Sequence, residues 1–228
     1  MIRLLLSILL FFTIVNLHAQ TVIQGTVSNQ HNSPIPYSAM GIKNSRVAAL
    51  ANENGSYRLV VPDSLQHKPI IFSAIGHVER SMTVIELKTN SNVVLDEKIQ
   101  TLNEVVINTI KLKEKTVGQR SRPMLTFSRM FDHTVPTIEQ GSIFEIFPQT
   151  RLKSFRFYII PSSKFSKINL KVNLYSVNGN TPDKSVLNKT ILFQCTTTGW
   201  QHIDLSPYDL KFKDMDKIAI TLQLIEHT

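Results

Sequence analysis

Two places in the chain set an imidazole near a carboxylate: Asp132-His133, and His202 two positions before Asp204. Such pairs serve general acid–base chemistry, and with a serine they make a nucleophilic triad. The nucleophile is what is missing. No G-x-S-x-G elbow occurs anywhere in the sequence, and the commonest exported hydrolases carry their serine on one. Glycoside cleavage asks only for two carboxylates, brought together in space rather than in sequence. The second half of the chain offers Asp132, Glu139, Glu145, Asp183, Asp204, Asp209, Asp214, Asp216 and Glu226 for that work. Asp204 and Glu145 are the two whose mutation would test it first. His202 alternates with Ile203 on a strand-like stretch, which places it on a surface or rim. The single cysteine, Cys195 in ILFQCTTTG, carries no nucleophile signature and is expected to be a small, half-buried strand residue.

Metal chemistry is equally bare. None of His31, His67, His77, His133, His202 or His227 is followed by Glu three positions on, and H-E-x-x-H is absent. The sequence therefore assigns no catalytic residue, no metal ligand and no cofactor, and it leaves the ligand-binding residues unknown. The expectation is a protein that is not an enzyme.

The ends and the charge narrow the class further. MIRLLLSILLFFTIVNLHAQ joins one positive charge, Arg3, to an apolar run from Leu4 to Val15 and then Leu17-His18-Ala19. A small residue just before a cut fits an export signal over residues 1–19, with the mature chain beginning at Gln20. The apolar run falls short of the roughly 20 residues that a membrane-spanning helix needs, and no cysteine lies near the cut to accept a lipid. No later stretch is long and apolar enough to span a bilayer, and the strands look too short and turn-dense for a transmembrane barrel. An exported chain with one cysteine has no internal disulfide, so core burial must hold it together. Residues 1–110 carry 8 Lys/Arg against 7 Asp/Glu, whereas residues 111–228 carry 17 against 10. That field favours anionic partners such as lipopolysaccharide or acidic glycan. Export and the scatter of the basic residues argue against nucleic acid, whose single-strand binders cluster them with stacking aromatics.

What would position any of these residues is an all-β frame. Residues 20–108 hold candidate strands at 22–28, 38–43, 46–50, 56–61, 69–75, 78–87 and 92–97, with alternation such as Tyr57, Leu59, Val61. Asn32-Ser33-Pro34, Pro36 and Asn54-Gly55 punctuate them. Seven short strands without a helical period predict a β-sandwich. Residues 109–123 form a basic linker, with Lys111, Lys113, Lys115, Arg120 and Arg122 around a lone Glu114, ending at Pro123 and expected to be solvated. From 124 to 228 strands resume at 142–147, 152–160, 168–177, 184–194, 198–205 and 217–225. Ile168, Leu170, Val172 and Leu174 are expected inward and Asn169, Lys171, Asn173 outward; Phe155, Phe157 and Ile159 point inward one strand earlier. GNTPDKS, with Gly179 and Pro182, is expected to be a loop at one end of a second sandwich.

The first segment resembles a known module. Gly25 and Val27, Pro34 and Pro36, Gly55 with Tyr57, Phe72 with Gly76, and Leu102, Glu104, Val105 and Val106 follow the pattern of the carboxypeptidase regulatory-like domain, a transthyretin-like (prealbumin-like) sandwich. It departs at Tyr37, where the pattern has glycine, at Asn52 for the usual Asp, and at His77 for the usual aromatic. Every retained residue is a turn glycine, a loop proline or a core aliphatic, so the resemblance implies a scaffold and no reaction. TLNEVVI (101–107) is the form in which the module leads into TonB-dependent outer-membrane receptors of Bacteroidetes, but only 121 residues follow here, too few for plug and barrel. Thr198-Gly199-Trp200, Ile203-Asp204-Leu205 and Tyr208 are similar to a strand pair of galactose-binding-like jelly rolls. That resemblance implies that Trp200 and the I-D-L strand pack the core; similar chains run on for another strand or two, so the expectation here is either a truncated C-terminus or a last strand on a sheet edge. Asp63-Ser64-Leu65 matches a short O-glycosylation acceptor pattern of some Bacteroidetes. The expected protein is an exported, non-enzymatic binding or scaffold protein of the periplasm or cell surface. Its expected partners are a glycan or an outer-membrane receptor complex; a hydrolase with unrecognised carboxylates is the alternative.

Overall fold

The computed structural model describes residues 20–98, 113–118, 121 and 138–228. The export segment 1–19, the stretch TLNEVVI, Asp132, His133, Lys111, Arg120 and Arg122 lie outside the described residues.

The first unit is two facing sheets. One holds β1 (Gln20–Ser28) between β4 (Ser56–Pro62), antiparallel to it, and β7 (Val93–Val94), parallel to it. The other runs in the order β3 (Ala48–Leu50), β2 (Ala39–Gly41), β5 (Ile70–Ser73), β6 (Arg80–Met82). The period-2 pattern decides which side faces in. Tyr57, Leu59 and Val61 from β4, Ile23 and Val27 from β1, and Met40, Ile70 and Phe72 from the opposite sheet are all buried in one core. Tyr57 and Phe72 meet edge to face across it, with ring centroids 5.5 Å apart.

The expected strand 78–87 is corrected. Only Arg80–Met82 is strand, and a helix, α1, follows at Val84–Thr89. Thr83 and Glu86 explain the switch. The Thr83 side chain accepts the Glu86 backbone N–H at 3.2 Å, and the Glu86 carboxylate accepts the Thr83 N–H at 2.6 Å. This reciprocal box satisfies two donors that a short helix would leave bare, and Val84 and Leu87 then fall together on the buried side. The Thr83 backbone and hydroxyl hold the Glu86 carboxyl below its usual range. Thr83→Ala is expected to cost about 1 kcal/mol, read as a lower urea midpoint with an unchanged slope.

The second unit is a broader sandwich. Its main sheet runs β12 (Thr181–Ser185), β11 (Ile168–Asn178), β16 (Lys217–His227), β8 (Glu139–Glu145). The first half of β11 also pairs with β13 (Ile191–Cys195). The facing layer contains the pair β10 (Ser154–Ile159) and β14 (Gly199–Asp204) and the short pair β9 (Thr150–Arg151) and β15 (Lys211–Phe212). Leu170, Val172, Leu174, Ile218, Ile220 and Leu222 from the main sheet meet Ile203 and Leu205, with Phe155 and Phe157 packed against them. The inward reading of β11's aliphatics and of Phe155, Phe157 and Ile159 holds. Two boundaries change. The expected strand 184–194 divides into β12 and β13, and GNTPDKS is not a loop but a hairpin, in which Asn178 pairs Thr181 and Gly179 takes φ +62°. Pro182 is accommodated because β12 is an edge strand, where a missing N–H costs no ladder bond.

Candidate functional site

Opposite residues of an antiparallel ladder share a face, so the registers of β8, β16 and β11 fix what the outer face of the main sheet presents. Glu139, Gln223 and Lys171 make one row across three strands; Gly141, Thr221 and Asn173 make the next; Ile143, Ala219 and Tyr175 the third. Lys171 and Asn173 were expected to be outward and wet. They are outward but not wet, at 6% and 3% exposed, and the backbone of the first sandwich reaches this face at Lys171. Lys171 Nζ donates to the Tyr37 carbonyl at 3.0 Å. Ile75 of the first unit packs against the second unit's core, and the Gly76 backbone lies against the Asn188 carbonyl. Burial lowers the Lys171 ammonium from its usual value, partly offset by the charge of Glu139.

The carbonyl that Lys171 holds belongs to a strained residue. Tyr37 has φ +54°, the left-handed region that a side chain disfavours, and the family pattern has glycine there. Tyr37→Gly is expected to leave stability unchanged or to raise it by up to about 1 kcal/mol. A thermal melt below that of the unsubstituted protein would show that the tyrosine ring matters more than its backbone.

Beside this contact Glu139 gathers hydroxyls. Tyr175 Oη donates to its two oxygens at 2.9 and 3.0 Å, and Thr221 Oγ1 donates to Oε2 at 2.5 Å. Burial first, then the Glu139 charge and this hydrogen bond, push the Tyr175 hydroxyl up. A cleft of about 450 Å³ opens over Gly141 between Glu139, Thr221, Ile143 and Pro182. It holds one carboxylate. Glu145, the next acid on the same side of β8, is six residues along, which at strand rise is about 20 Å. Two carboxylates flanking a glycosidic bond stand at most about 9.5 Å apart.

The other sequence candidates are scattered. Asp204 accepts the Ser206 N–H at 2.9 Å, and Ser206's backbone and hydroxyl hold its carboxyl low. Asp209 lies between Arg151 at 3.0 Å and Lys211 at 2.7 Å. Glu226 accepts from Asn169 at 2.8 Å, while Asp183, Asp214 and Asp216 are exposed. Cys195 is buried rather than half-buried, and burial pushes its thiol up to about 11, away from the thiolate that a nucleophile needs. Ser64 sits exposed in a 3₁₀ turn. Among the described residues, no three His, Cys, Asp or Glu side chains are grouped as a metal site requires. The described piece of the linker, residues 113–118, is exposed but not free: Glu114 pairs with Lys153, and Lys115 Nζ lies 4.0 Å over the Phe147 ring.

On the opposite layer of this sandwich one residue departs from what the jelly-roll resemblance implies. Trp200 does not pack the core; it is 45% exposed. Parity explains it. Gln201, Ile203 and Leu205 face inward, so Trp200, His202 and Asp204 face out. Alternation along TGWQHIDL contained that signal. Across the β10–β14 ladder Trp200 stands opposite Tyr158, His202 opposite Arg156, and Asp204 opposite Ser154. Tyr158 braces the indole edge to face at 5.4 Å, and the Arg156 guanidinium lies 5.6 Å from its centroid. His202 is exposed, as the sequence suggested.

The first unit's motif residues now have physical roles. The Gly25 position admits no Cβ, because the Ser91 carbonyl would lie 2.0 Å from it. That same carbonyl accepts the Tyr57 hydroxyl at 2.7 Å, and Gly25 and Tyr57 are register partners. Asn52 Oδ1 accepts the N–H groups of Asn54 and Ser56, each at 2.9 Å, so the turn into Gly55 needs an acceptor oxygen that Asn supplies as well as Asp. His77 ties its ring to the Ile75 carbonyl at 2.9 Å. These features define a scaffold of the regulatory-like, transthyretin-like class. Residues 23–107 match the CarboxypepD_reg-like domain family, and this part of the chain is a carboxypeptidase regulatory-like domain. No curated protein matches the chain. No helix among the described residues is long and apolar enough to cross a membrane.

Proposed function

We propose that the protein is an exported, non-enzymatic binding or scaffold protein of the cell envelope, acting in the periplasm or at the cell surface. In this reading the regulatory-like sandwich is a platform docked on the second sandwich, and the second sandwich meets the ligand. One observation carries it. Among the described residues, the acids and the thiol offered for catalysis are tied into turns, ion pairs or the core, or stand singly on the surface, whereas an aromatic and cationic face stands open at Trp200 and Arg156. Open aromatic surface rimmed by polar groups is what recognition sites present. Calorimetric titration of the purified protein against envelope polysaccharides and outer-membrane extracts tests the reading. Saturable heat with at least one of them is expected, and silence across the panel would sink it.

A further inference from the structure

We propose that the outer face of the β10–β14 pair binds an acidic saccharide: Trp200 stacks on the apolar face of one sugar ring, and Arg156 pairs with its carboxylate. This rests on the binding reading above and gives it a site and a ligand class.

The face is three cross-strand pairs deep: Trp200 with Tyr158, His202 with Arg156, Asp204 with Ser154. Residues two apart along a strand stand roughly 7 Å from each other, so a ring resting on Trp200 reaches the Arg156–His202 pair with its substituents. Trp200 is held ready. Tyr158 packs against it edge to face at 5.4 Å, which restricts the indole, so little rotamer freedom remains to be lost on binding. The C–H groups on one face of a pyranose suit a flat indole, and its hydroxyls need donors and acceptors around the rim. His202 and Asp204, both exposed, supply them.

The charge selects an acid. Arg156 carries a planar fork of donors that matches a carboxylate, and it already lies over the indole ring, 5.6 Å from its centroid, within reach of the acid group of a sugar held there. The part of the chain from residue 111 onward has 17 basic against 10 acidic side chains, a field that draws anions to the surface. A nucleic-acid strand would need several stacking aromatics in series with cations, and here one exposed indole serves a single ring. A peptide would need pockets for its side chains, which a flat two-stranded face does not provide. Asp204 keeps its charge, but it stands four residues from Trp200 along β14, about 13 Å at strand rise, with the Arg156–His202 pair between them.

The test uses a property of the sequence: Trp200 is the only tryptophan in the chain. Intrinsic fluorescence of the full-length protein therefore reports this face alone. Titration with polygalacturonate is expected to shift or quench the emission saturably, whereas neutral dextran is not. Arg156→Gln keeps the fluorophore and is expected to weaken polygalacturonate at least about tenfold, the scale of losing an anchoring Arg. Trp200→Ala, followed by calorimetry, is expected to do the same while leaving the melting temperature unchanged, since the indole is outside the core. Dextran sulfate separates charge from stacking: it should bind more weakly than polygalacturonate and be indifferent to Trp200→Ala. No response to polygalacturonate, an equal response to dextran, or full affinity in either variant overturns the proposal. If envelope extract still binds in that event, the broader binding reading stands with its site elsewhere.

Discussion

Gly141→Ala is expected to destabilise the second sandwich by about 3 kcal/mol, at the upper end of overpacking costs. A Cβ at this position would lie 2.0 Å from the Ile220 carbonyl oxygen and 2.6 Å from Thr221 Cα. These are backbone atoms of the neighbouring strand, which no rotamer change relieves. β8 would have to move off β16, and the register pair Gly141–Thr221 lies between Glu139–Gln223 and Ile143–Ala219. The shift would pull Glu139 from the hydroxyls of Thr221 and Tyr175 that now reach it. The substitution should therefore lower the urea midpoint. An unchanged midpoint would mean that β8 and β16 are not paired in this register.

Lys171→Ala is the second large effect, about 2 kcal/mol, the range for a hydrogen bond to a charged group. It removes the donor on the Tyr37 carbonyl and leaves that oxygen facing the gap. Since Lys171 ties the two sandwiches, calorimetry of the variant is expected to resolve two transitions where the unsubstituted protein gives one. Lys171→Met should behave differently, because it keeps the aliphatic stem and drops the buried charge, whose desolvation offsets much of what the bond contributes. The pH dependence follows from the direction of the shift. Burial lowers the folded-state pKa of Lys171 from 10.5, so the folded state binds this proton less tightly than the unfolded chain. The resulting penalty is fully present below the lowered value and disappears as pH rises through about 10.5. The stability of the unsubstituted protein relative to Lys171→Met should therefore rise across that alkaline window. A difference that falls with pH would mean that Lys171 is not buried.

Much of this was legible in residue types and parity. Tyr57, Leu59 and Val61 announced a half-buried strand, Gly25 and Gly55 announced close approach and a turn, and together they carried the family. Trp200 was legible as well: with Ile203 and Leu205 inside, an even-numbered neighbour on the same strand must face out, and parity outweighs the core position that the jelly-roll likeness implies. The helix Val84–Thr89 was harder, because the β-branched Val84-Ile85 favour a strand and only the Thr83–Glu86 spacing marks the cap. Lys171 and Asn173 were not legible at all. Alternation assigns a face, not what covers it, and the carbonyl that meets Lys171 lies 134 residues away in sequence. Glu139, Thr221 and Tyr175 come together through strand register, which no local pattern encodes.

The claim that this protein binds and does not cut is tested most directly by one incubation. The full-length protein is titrated with an acidic polysaccharide in the calorimeter, and the polysaccharide is then recovered and sized. Saturable binding with the chain length unchanged is the result the structure leads us to expect; a shortened polysaccharide would contradict it.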